Sequence, residues 1–134
     1  MANDKAQIPN QGQNPNYEKK YDLEERTAQF GEAIIELVKT FPRDPINSPL
    51  ITQIVRAGTS VGANYMEADG AEPKKDFQHK ISICKKESKE TKHWLRMIVK
   101  ANPSRRDECQ KLLREAQELS LIFSSILLSK KKQL

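Results

Sequence analysis

The sequence predicts an all-α fold, an up-down-up-down four-helix bundle, and three observations carry that expectation. Four segments repeat apolar residues at spacings of three and four, no segment alternates with period two, and the breaks between segments are short. Four amphipathic helices joined in that way pack most simply around one core. A length of 134 residues, 37% of them hydrophobic and only five of them glycine, leaves room for one such domain and argues against a turn-rich β fold.

Residues 1–20 hold nine Asn, Gln or Pro, and beyond Met1 only Ile8 and Tyr17 are sizeable apolar groups. Such a segment buries too little surface to offset the entropy of ordering it, so it reads as a disordered tail ahead of a bundle domain over 21–134. Asp22-Leu23-Glu24-Glu25 has the form of a helix start, with Asp22 as N-cap and Glu25 reaching back. Leu23, Phe30, Ile34, Leu37 and Phe41 then recur until Pro42 and Pro45 stop the helix. Ser48-Pro49 opens the second helix, whose apolar face holds Leu50, Ile51, Ile54, Val55, Val61 and Tyr65 and which ends at Gly70. Gly58 and Gly62 remove side-chain bulk from that face and predict a close helix neighbour there, since each glycine otherwise costs about 1 kcal/mol of helix propensity.

The third helix, from about Pro73 to Ala101, is the most regular. Phe77, Ile81, Cys84, Ser88, Thr91, Leu95 and Ile98 form a seam over three heptads. Asn102-Pro103-Ser104 breaks it, and Ser104 is the expected cap of a fourth helix in which Cys109, Leu112, Leu113, Ala116, Leu119, Phe123, Ile126 and Leu127 face inward. The chain contains no internal repeat.

Several functions are disfavoured. No apolar run approaches the roughly 20 residues that cross a bilayer, and no signal or transit pattern opens the sequence, so a cytoplasmic, membrane-free protein is expected. Gly58-Thr59-Ser60-Val61-Gly62 fits the letters of a nucleophile elbow, but it lies in a helical pattern rather than at a strand-to-helix turn. Asp76/His79 and Glu90/His93 carry the carboxylate-to-histidine spacing of di-iron bundles, yet both pairs share one helix and point away from its seam. Cys84 and Cys109 have no CxxC companion and read as reduced core thiols. Nucleotide-phosphate loops are missing. The expectation is a protein without enzymatic activity, cofactor or metal.

Charge is distributed unevenly. The chain carries +5 overall, but residues 21–42 carry −3 while residues 71–101 hold nine Lys or Arg against four Asp or Glu. Lys75, His79, Ser82, Lys86, Lys89, His93, Arg96 and Lys100 form a row opposite the seam, with no carboxylate in it. The row is either a solvated face or a phosphate-tracking surface for RNA, in which Lys75, Lys86, Lys89, Arg96 and Lys100 would contact the backbone. Lacking aromatic residues, it does not suggest single-strand stacking. Beside it lie Ile83, Glu87, Glu90, Trp94 and Met97, which either widen the core-facing stripe or form a self-association surface anchored by Trp94. The second helix has its own polar line, Gln53, Arg56, Ser60, Asn64 and Glu67, which is either exposed or part of an interface; Arg56 and Glu67 stand too far apart to pair.

The stretch Arg56-Ala57-Gly58-Thr59-Ser60-Val61-Gly62-Ala63-Asn64-Tyr65, with Glu67-Ala68, Asp76-Phe77, Lys80-Ile81, Lys86-Glu87, Glu90-Thr91 and Trp94-Leu95, resembles the bacterial four helix bundle protein family, also known as the ribosomal-RNA intervening-sequence protein family. The resemblance covers roughly 21–129, and His93 stands where that family often has tyrosine. It implies a left-handed bundle, assembly into a homopentamer, no established enzymatic activity, and an RNA- or ribosome-associated role. A related group of bundles serves as accessory factors to reverse transcriptases. On this resemblance Ser60, Asn64, Glu87, Glu90 and Trp94 are structural or interfacial positions. A purely structural or protein-binding assembly, in which the basic row confers only solubility, is the alternative.

Overall fold

The computed structural model describes residues 15–71 and 73–132. Four helices follow in chain order: α1 over Pro15–Val38, α2 over Asn47–Asp69, α3 over Lys74–Ala101 and α4 over Arg106–Lys132. The described residues contain no strand. Each helix packs on its chain neighbours and α4 closes on α1, while the diagonal pairs α1/α3 and α2/α4 make no close backbone approach among the described residues. Connections of at most eight residues make successive helices antiparallel, giving the expected four-helix bundle.

Helix starts differ from the sequence expectation in three places. Asp22 lies inside α1 rather than capping it. Pro15 suits a first helical position because its missing N–H would be unpaired there, and Glu18, Lys19 and Lys20 are good helix formers. The rest of the expected tail, residues 1–14, lies outside the described residues. At α2, the cap comes from outside the predicted signal: Asp44 Oδ1 accepts from the backbone N–H groups of Ile46 at 3.1 Å and Asn47 at 2.7 Å, so the helix begins at Asn47 instead of Ser48-Pro49. Ser104, expected to cap α4, falls within a 3₁₀ turn over Pro103–Arg105, and α4 begins at Arg106.

Most of the predicted core faces are buried, while Leu50, Val55, Phe77, Leu112, Leu113, Ile126 and Leu127 are half-buried and pack against the edge of the core. Leu23, Phe30, Ile34 and Leu37 of α1 and Phe41 just after it meet Ile51, Ile54, Val61 and Tyr65 of α2, Ile81, Cys84, Leu95 and Ile98 of α3, and Cys109, Ala116, Leu119 and Phe123 of α4. The buried hydroxyls in these seams return to their own helices: Thr27 donates to Leu23 O at 2.7 Å, Ser88 to Cys84 O at 2.9 Å and Thr91 to Glu87 O at 2.7 Å. Polar contacts tie the helix ends together. Asn47 and Asn102 exchange amide hydrogen bonds of 3.2 and 2.8 Å between the start of α2 and the α3–α4 turn. At the same end Arg105 donates to Thr40 Oγ1 at 2.7 Å and lies 5.0 Å over the Phe41 ring. Between α1 and α4, Arg26 grips Glu115 with two hydrogen bonds of 2.7 and 2.9 Å and also reaches Glu118.

The close neighbour predicted by Gly58 and Gly62 is α1. A methyl group on Gly62 would stand 3.3 Å from Thr27 O, and one on Gly58 only 2.9 Å from Ile34 Cγ1. Ile34 is fully buried and β-branched, so it cannot swing aside. Overpacking costs about 1–3 kcal/mol against the ~1 kcal/mol that alanine returns in helix propensity. Gly58→Ala is therefore expected to lower the urea midpoint, by a net amount on the order of 1 kcal/mol. Gly31→Ala is the control: its methyl would meet Thr59 Cα at an ordinary 3.4 Å, so stability should hold or rise. Equal behaviour of the two variants would show that the α1–α2 approach does not limit stability.

Burial also sets the core thiols. It pushes the Cys84 thiol up to about 12 from an ordinary 9.0 and raises Cys109 in the same direction. Between these values the unfolded chain releases a proton that the native state keeps, so stability is complete below pH 9 and falls as pH rises towards 12. Urea titrations on either side of pH 9 should show that decline, and Cys84→Ala should flatten it. An undiminished slope in the variant would assign the decline to other groups, such as Tyr65, whose hydroxyl burial likewise pushes up to about 12.

Candidate functional site

With Ile81, Cys84, Ser88, Thr91, Leu95 and Ile98 fully buried, the rotation of α3 about its axis is fixed, and the opposite side must face solvent. All eight residues of the predicted row, from Lys75 to Lys100, are exposed. Beside this row runs a groove of about 950 Å³ between α3 and α4. Its α3 wall presents Lys89, Lys92, His93, Arg96 and Lys100. The α4 wall presents Arg106, Gln110 and Gln117, with Val99, Pro103 and Leu113 completing the lining. Five full positive charges and no carboxylate line it, which concentrates a positive potential where the helix walls reduce screening.

The structure thus divides the predicted nucleic-acid set. Lys89, Arg96 and Lys100 converge on the groove, whereas Lys75 and Lys86 lie on the same exposed row but outside it. Lys92, Arg106, Gln110 and Gln117 are additions. Lys92 sits on the α3 flank beside the row, and its Nζ donates to Gln117 Oε1 across to α4. The α4 residues take their place because Cys109, Ala116, Leu119 and Phe123 turn inward. Nothing in the sequence marked Arg106 or the glutamines.

The second predicted surface and the polar line of α2 prove to be one strip. Arg56 reaches across to α3, donating to Glu87 Oε1 at 3.3 Å and to Glu90 Oε2, and Trp94 Nε1 donates to the same Glu90 oxygen at 3.0 Å. Glu87 is buried, so its carboxylate depends on that guanidinium. Trp94 packs on the core cluster while leaving part of its ring exposed, and Ile83 and Met97 beside it are half-buried. Ser60 and Asn64 bond within α2, Ser60 Oγ donating to Arg56 O at 2.7 Å and Asn64 Nδ2 to Ser60 O at 2.9 Å. Glu67 pairs with Lys80 of α3, not with its own helix.

Gly58-Thr59-Ser60-Val61-Gly62 lies mid-helix in α2, without the strand and strained turn that would raise a serine nucleophile. Among the described residues no three His, Cys, Asp or Glu side chains are placed to share a metal ion, and no helix is long and apolar enough to cross a membrane.

Comparison with known proteins places these features in a family context. The family model described as 23S rRNA-intervening sequence protein matches residues 19–125. A solved structure of a protein of unknown function from the S23 ribosomal protein family of Bacteroides thetaiotaomicron superposes with a TM-score of 0.68 at 28% sequence identity, covering 78% of this chain and 97% of that one. No curated protein matches the chain.

Proposed function

The chain belongs to the 23S rRNA-intervening sequence protein family, and from that membership and the cationic groove we propose a non-catalytic binding module, associated with RNA or the ribosome, that holds phosphates of structured RNA between α3 and α4. The observation that carries this reading is the lining itself: Lys89, Lys92, Arg96, Lys100 and Arg106 without one carboxylate. A merely solvated face tends to intersperse both signs, as the α2–α3 strip does with Arg56, Glu87 and Glu90. The names of the family and of its solved relative, which refer to ribosomal RNA and a ribosomal protein family, support the same direction. Lys75 and Lys86 extend the surface along the exposed row and contact phosphates beyond the groove.

The module acts as a homo-oligomer, a pentamer on the family resemblance, through the strip that holds Arg56, Ser60, Asn64, Ile83, Glu87, Glu90, Trp94 and Met97. The exposed part of the Trp94 ring, rimmed by an ion-pair network, is the kind of aromatic anchor that interfaces favour. Trp94→Ala is expected to lower the mass measured by light scattering. An unchanged mass would leave Trp94 a core-packing residue only.

Filter binding on a structured RNA tests the groove. With the five groove cations and Lys75 and Lys86 engaged, log K should fall against log salt with a slope of about −6. Arg96→Gln combined with Lys100→Gln should weaken binding and flatten the slope by about two units. Unchanged affinity in that variant would remove the groove from the account. Absence of RNA binding, with a nuclease-insensitive protein partner recovered instead, would favour the structural or protein-binding assembly.

A further inference from the structure

The two walls of the groove differ in chemistry, and we infer that they divide the recognition of double-helical RNA: α3 holds the phosphates of one strand while Gln110 and Gln117 of α4 bond to its 2′-hydroxyls. This inference rests on the proposed reading of the groove as a phosphate-binding surface. Besides His93, the α3 wall offers the cationic donors Lys89, Lys92, Arg96 and Lys100 over about 16 Å of helix, and phosphate oxygens only accept. The α4 wall faces them with two amides seven residues apart, on one side of the helix and about 10 Å from each other along its axis. An amide both donates and accepts, as does a 2′-hydroxyl. Lys92 Nζ occupies the carbonyl oxygen of Gln117 and so commits that end of the amide to α3, leaving its NH₂ end to donate to a ligand.

The form of RNA follows from what the groove lacks. Unpaired bases are held by stacking on aromatic faces, and no Phe, Tyr or Trp lines the groove. Its one imidazole, His93, stands edge-on to Trp94 with ring centroids 4.8 Å apart. In an A-form duplex the bases are already stacked, and 2′-hydroxyls line the wide, shallow minor groove beside the phosphate rows. A wall of cations beside a wall of amides matches that pairing of phosphate with sugar, and it has nothing to grip on the sugars of DNA.

Fluorescence anisotropy on the full chain, with an RNA duplex, the DNA duplex of the same sequence and the single RNA strand, tests this inference. The RNA duplex is expected to bind about tenfold more tightly than the DNA duplex, the worth of one to two net hydrogen bonds, and more tightly than the single strand, whose unstacked bases find no aromatic partner in the groove. Gln110→Ala with Gln117→Ala should erase most of that advantage and leave DNA affinity unchanged; both positions are exposed, so the fold is retained. Equal affinity for RNA and DNA duplexes, or tighter binding of the single strand, would overturn the inference while leaving the groove a phosphate site. Failure to bind any of the three would overturn the underlying reading as well.

Discussion

The rotation of α3 about its own axis is the constraint on which the rest depends. Ile81, Leu95 and Ile98 are fully buried between α2 and α4, with Cys84, Ser88 and Thr91 completing an unbroken line. Each large aliphatic side chain in that line contributes about 1.5–3 kcal/mol by leaving water. Turning the helix by a single position would expose most of them and bury charges in their place. A helix held so firmly has no freedom over what it shows on its other side, and what it shows is a row of lysines, histidines and Arg96.

Burial on one side explains display but not asymmetry, which comes from the neighbours. Towards α2, the charges of α3 are paired with opposite ones: Glu87 and Glu90 share Arg56, and Lys80 receives Glu67. Towards α4, the lining holds no carboxylate, and Glu115 and Glu118 of α4 pair with Arg26 of α1 and Glu108 with Arg105. The pairing with Arg105 holds the Glu108 carboxyl below its ordinary range, so it stays ionised and engaged with its own turn. The groove is cationic as much through where the acids are spent as through where the bases lie.

How far the sequence could be read follows from which interactions are local. The α3 seam and the exposed row opposite it are both consequences of one helical period, and both appear in the fold as drawn from that period. The glycine pair announced a close approach because missing side chains are visible in the sequence, though the partner, α1 through Ile34 and Thr27, was not. Two helix starts were misplaced for a related reason: Asp44 caps from outside α2, and Pro103 draws Ser104 into a 3₁₀ turn. The groove itself needed knowledge of which α4 flank meets α3. Arg106, Gln110 and Gln117 carry no signal until Cys109 and Ala116 are seen to point inward beside them. The link from Arg56 to Glu87 and Glu90 joins residues more than thirty positions apart, and side-by-side inspection of single helices separates what the bundle unites.

The proposed function places a polyanion in the groove that the packing of α3 and α4 creates. Lysine-reactivity footprinting of the full chain, with and without a structured RNA, measures it most directly. Acetylation of Lys89, Lys92 and Lys100 is expected to be suppressed by RNA, with weaker protection of Lys75 and Lys86 and none of Lys39, which pairs with Glu36 of α1. Uniform protection of all lysines, or protection of Lys39 with Lys92 still reactive, would contradict it.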